Sequence, residues 1–154
     1  MAFSIQIAQH LREVFFGGNW TDSNLRDTLK GIPFEKITIS INSSNSILAL
    51  TYHIRYFISA ILEVYREGKL SSKDAESFFY PEILTEDDWI DFQSKIWEDV
   101  EKLAKYIESM HDDNLKDTFM MEKYGNYYRN LHGLIEHSHY HLGQIASLKK
   151  LINT

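Results

Sequence analysis

The most specific chemical signal in this chain is a pair of histidines one helical turn apart. In Glu136-His137-Ser138-His139-Tyr140-His141-Leu142-Gly143-Gln144 the flanking apolar residues Leu131, Leu134, Ile135, Ile145 and Leu148 fall at helical intervals, the pattern of an amphipathic helix. Residues i and i+4 stack on one face of such a helix, so His137 and His141 point the same way. Two imidazoles at this spacing can share a metal ion. Gln144, three residues past His141, belongs to the same column. His139 lies about 200° round from His137 and faces elsewhere. With seven histidines in the chain, an HxxxH is also what two solvated polar residues look like, so a metal reading requires a third ligand.

Composition bounds what such a site can belong to. A chain of 154 residues that is 44% hydrophobic and 14% aromatic, with two prolines, has the make-up of one folded globular domain with a sizeable core. The net charge of -6 and the lack of a basic run argue against nucleic acid as a partner. The absence of cysteine removes disulfides, thiolate ligands and a protein thiol nucleophile. No apolar run approaches the ~18 residues of a membrane span, and the N-terminus lacks the charged-then-apolar order of a signal peptide. The expectation is a cytoplasmic protein with no membrane partner.

The elements that must position the histidines follow from periodicity and capping residues. A first helix is predicted from Phe3 to Phe16, with Ile7, Leu11, Val14 and Phe15 buried and Gly17-Gly18 as its stop. Ser23 is the expected N-cap of a short turn through Leu25 and Leu29, which ends at Gly31-Ile32-Pro33. Ile37 to Ile41 alternates like a strand but has no partner, and so reads as an extended connector. Capping residues around Ser46 precede a second long helix, Ile47 to Arg66. Residues 68–84 form a long connection, whose length suggests a crossover that leaves the second and third long helices parallel. Thr85-Glu86-Asp87-Asp88 resembles a capping box opening a third helix that runs to about Met110. The fourth runs from about Asn126 to Ile152. The fold class is therefore all-α, a four-helix bundle with one long crossover.

His53 supplies the third candidate ligand. It lies on the apolar face of the second long helix, three past Leu50 and four before Phe57, where a buried, hydrogen-bonded histidine is the plainer explanation. If that helix runs antiparallel to the last, His53 lies ~10 Å from one end and His141 ~16 Å from the other, which are compatible depths.

His53 together with His137-x-x-x-His141-x-Gly143-Gln144 resembles the DinB/YfiT-like superfamily of metal-binding four-helix bundles. The surroundings agree: Gly18-Asn19-Trp20-Thr21, Ser46-Ile47 ahead of His53, and Tyr124-Gly125-Asn126-Tyr127-Tyr128-Arg129-Asn130. The likeness spans nearly the whole chain. It implies an up-down-down-up bundle, often a homodimer, in which three histidines hold a divalent metal, commonly zinc or nickel. The activity it implies is either metal-dependent hydrolysis or transfer involving a low-molecular-weight thiol, on a small-molecule substrate. A non-catalytic metal- or ligand-binding bundle is the alternative.

Helpers and rivals are named on position alone. Gln144, Tyr140 and Asn130 are candidates to line the pocket or hold a ligand. Glu136 adjoins a ligand but diverges from it, while Arg26 and Arg55 suit either an anionic substrate or surface ion pairs. Glu136-x-x-His139 and Glu108-x-x-His111, with Glu13 and Glu63, match the elements of a di-iron bundle. Their levels differ by roughly 15 Å at 1.5 Å per residue, too far for one dinuclear site. His10, His132 and His139 are assigned to surface or packing.

Overall fold

Local sequence supplies most of the starts and stops of the long helices. In the computed structural model, which describes residues 1–152, they are α1 (Phe3–Phe16), α3 (Ile47–Glu67), α4 (Glu86–Glu108) and α5 (Tyr127–Ile152), with a short α2 (Leu25–Leu29) between the first two. Ser46 caps α3 by accepting the Ala49 N–H. At the other end of α3, Gly68 takes the left-handed conformation that closes a helix without a Cβ penalty. Thr85 and Asp88 form the reciprocal capping box expected for α4. Asn126 accepts the Arg129 N–H at the head of α5.

Contacts between helices fix their directions. Phe16 meets Trp97, Arg12 pairs with Glu101 and Glu108, and the N–H groups of Phe3 and Ser4 reach Asp112, so α1 and α4 are antiparallel. Tyr52 stacks on Phe92 and Tyr65 on Tyr106, so α3 and α4 are parallel. His53 meets His137 while Tyr65 meets Tyr127, so α3 and α5 are antiparallel. The order is up-down-down-up around one apolar core, with the crossover where the length of residues 68–84 requires it. That crossover is pinned by Tyr56, whose hydroxyl donates to the Lys73 carbonyl and accepts the Lys73 N–H.

Three expectations need correction. The cap of α2 is Asn24, not Ser23: its side chain accepts from Asp27 N–H, and Asn24 is buried. Ile37 to Ile41 is not extended. Phe34–Lys36 is a 3-10 turn, further turns follow, and the Ile37 carbonyl accepts the Leu48 N–H with Ile37 buried beneath. The alternation reflected one anchoring isoleucine in a coiled loop. Finally, α3 is long and apolar enough by composition to cross a membrane, with mean hydropathy 1.4 over an 18-residue window. Thr51, Tyr52, His53 and Arg55 break up its apolar residues, which hid this in a search for unbroken runs. In the bundle 61% of that window is buried against the other helices.

Candidate metal centre

The α3/α5 seam brings the three histidines together. Ring centroids are 4.8 Å apart for His53–His137, 4.7 Å for His53–His141 and 4.5 Å for His137–His141. Nε2 of His53 lies 2.9 Å from Nε2 of His137, and one ligand atom from each ring falls within 4.8 Å of the others. Nitrogens bound at about 2.0–2.1 Å to one ion sit roughly 3.0–3.4 Å apart. One pair already stands close to that separation, and the third nitrogen lies within 4.8 Å of both.

The surroundings favour neutral imidazoles, the form that binds metals. His53 is 8% exposed. Phe78 from the crossover stacks on its ring at 4.1 Å and 8°, and Phe57 meets the rings of His53 and His137 edge-on. Burial, with the nearby His141, lowers the pKa of His53; the Ser77 backbone and Asp74 oppose this more weakly. Burial, then His141 and His53, lower His137 to about 4.

Gln144 fixes the third ring. Its Oε1 lies 2.7 Å from His141 Nδ1. A carbonyl oxygen can only accept, so Nδ1 carries the proton and the lone pair is left on Nε2. Nδ1 of His53 and of His137 is buried with no hydrogen-bond partner. The atoms of His53 and His137 that converge are the Nε2 nitrogens, and a shared cation would take their lone pairs as ligands. The residues fit a metal.

The other candidates separate. Tyr140 is 64% exposed; its hydroxyl is 3.4 Å from Gln144 Nε2, and both residues line a cleft of about 540 Å³ with Ser43, Ser44 and Asn45. Asn130 lines a second groove, which ends at His137, but its amide N–H groups are spent on the Tyr124 and Asn126 carbonyls. Arg55 pairs with Asp99 at 3.0 Å, and Arg26 lies over Phe16. Glu136 is exposed. Among the described residues the three histidines are the one group of three or more such ligands. The di-iron elements stay apart, with Glu108 held by Arg12 and Glu63 by Ser71.

Phe57 and Phe78 were not anticipated at the site. Phe57 was legible as the residue four past His53 on the same face. Phe78 comes from an aperiodic loop and gave no positional signal.

Fold and site define an all-α bundle with a three-histidine cluster able to hold a metal ion. In comparisons with known proteins the chain matches no family model, no curated protein and no solved structure. The functional reading rests on the geometry.

Proposed function

We propose that His53, His137 and His141 hold one divalent metal ion, zinc or nickel, and that the protein is a metal-dependent enzyme of the DinB/YfiT-like kind acting on a small molecule. The observation that carries this is the convergence of three imidazoles from two helices, without a carboxylate, two of which, His53 and His137, have their pKa lowered by burial. Held by three neutral ligands, a divalent ion would supply positive charge able to acidify a water or a low-molecular-weight thiol drawn from solution.

The chain's own residues do the rest. The three rings donate nitrogen lone pairs, and Gln144 holds the tautomer and orientation of His141. Phe57 and Phe78 keep water off the buried side of the cluster, which strengthens electrostatic interactions there. With no cysteine in the chain, a thiol route has to take its sulfur from a cosubstrate.

Metal analysis of the purified protein beside His53→Ala and His141→Ala tests the site. About one equivalent in the wild type and none in the variants is expected; equal content in all three would sink the assignment. Turnover of ester, amide and thiol-conjugation substrates, lost on chelation and in both variants, distinguishes an enzyme from a binding module. Stoichiometric consumption of added thiol distinguishes transfer from hydrolysis.

A further inference from the structure

The groove that ends at His137 is polarised along its length. It occupies about 280 Å³ between α3 and α5. Its walls are apolar, from Phe57 and Ile61 of α3 and Leu134 of α5. Its far end carries Arg129 and Asn130.

Arg12 and Arg55 are each tied to carboxylates. The Arg129 side chain is exposed and has no ion pair or hydrogen bond among the described residues. The Asn130 amide N–H groups are held by backbone carbonyls, which leaves Arg129 as the group at that end able to bind an anion.

Midway along the groove is Gly133, inside a helix and without a positive φ. A Cβ built there meets nothing within 4 Å. The position has room for a side chain yet carries none, at a cost of about 0.5–1 kcal/mol in helix stability relative to alanine. The lack of a side chain leaves the groove continuous.

We propose that this groove binds the body of the substrate: an unbranched apolar chain ending in a carboxylate, with the carboxylate on Arg129 and the reacting group at the histidine cluster. This rests on the metal-centre reading and adds a substrate class to it. Arg129 and His137 are eight residues apart on α5, a backbone rise of roughly 12 Å, and the Arg129 side chain, which packs over Gly125, turns toward the groove to meet the chain end. At roughly 1.2 Å per bond in an extended chain, about eight carbons with a polar head at each end cover that span. Guanidinium pairs with carboxylate bidentately, which selects a terminal carboxylate over a neutral or cationic end.

Hydroxamates, which carry their own metal-binding head, separate the two readings. Zinc-loaded protein is titrated calorimetrically with acetohydroxamate, octanohydroxamate and suberic acid monohydroxamate, the last having the same eight carbons and a terminal carboxylate. The suberic compound is expected to bind about tenfold tighter than octanohydroxamate, the worth of one charge-assisted pair. Arg129→Gln should erase that difference and leave octanohydroxamate unchanged. Gly133→Leu, at a position with open space, should weaken both long probes, spare acetohydroxamate and keep the zinc.

Equal affinity for the two eight-carbon probes, with acetohydroxamate still bound, overturns the groove proposal while the metal centre stands. So does an Arg129→Gln variant that keeps the difference. If wild-type protein takes up no stoichiometric zinc and binds none of the probes, the metal centre itself falls, and the proposed substrate orientation falls with it.

Discussion

Helix α5 carries two sets of histidines, and only one becomes a cluster. On the α3 side, His137 and His141 meet His53 with centroids under 5 Å apart. On the α1 side, His139 meets His10 at 6.1 Å with tilted rings, and the His132 ring tilts against Tyr128 at 4.3 Å. Both sets have rings from the same helix and a candidate from a neighbour. The difference is register. A turn's spacing aligns two rings, but the level of the third on the facing helix decides whether the lone pairs meet. The Glu-x-x-His elements show the same lesson: their local spacing is right, yet Glu108 is held by Arg12 and Glu136 is exposed.

The largest effect should come from setting the two groups against each other. Alanine at His53, His137 or His141 is expected to take bound metal from about one equivalent to none, while His10→Ala and His139→Ala leave it unchanged. Elemental analysis after gel filtration reads this, and metal lost equally from both groups would erase the distinction.

A second contrast uses protons. In the unfolded chain His137 titrates near 6.5, whereas in the fold its pKa is lowered to about 4. Between those values the unfolded state binds more protons, so stability of metal-free protein falls as pH drops through that window and levels off below it. At 1.36 kcal/mol per unit the loss is at most about 3 kcal/mol, and the lowered His53 adds in the same direction. Urea unfolding at pH 7.5 and pH 5 should show a smaller loss in His137→Ala; an identical loss would mean that the cluster is not the source.

Next in size is the support for the third ring. Gln144→Ala removes the acceptor that orients His141 and should weaken metal affinity by about 10- to 100-fold, measured by competition with a chelator. Undiminished affinity would reduce Gln144 to packing. The smallest effect lies far from the cluster: Thr85→Ala breaks the α4 capping box and should cost about 1 kcal/mol in thermal unfolding with metal content unaltered.

The parts legible in sequence were those governed by local rules. Apolar periodicity gave the four long helices, Thr85 and Ser46 gave their starts, and the length of residues 68–84 gave the crossover. The histidine trio followed from one spacing and one depth argument. Elsewhere neighbours compete. Ser23 and Asn24 are both good caps, and burial chose Asn24. Ile37 to Ile41 alternates like a strand, but a loop anchored by a single buried isoleucine gives the same pattern. The helix column included Asn130, yet backbone carbonyls claim its amide, a contact that periodicity does not encode. Phe78 reaches His53 only because the crossover is folded back by Tyr56, a tertiary event with no local trace.

The separation of the cluster in the chain also has a kinetic consequence. His53 and His137 are 84 positions apart, and every residue between them must be synthesised before their rings can meet. A nascent chain that has made α1 to α4 can collapse around its apolar faces while holding a single member of the trio. Capture of the ion is therefore tied to the docking of the last helix, a long-range closure of the kind that forms slowly. An ion held by the trio would then be a late clasp, stabilising the finished bundle and giving little to any shorter intermediate.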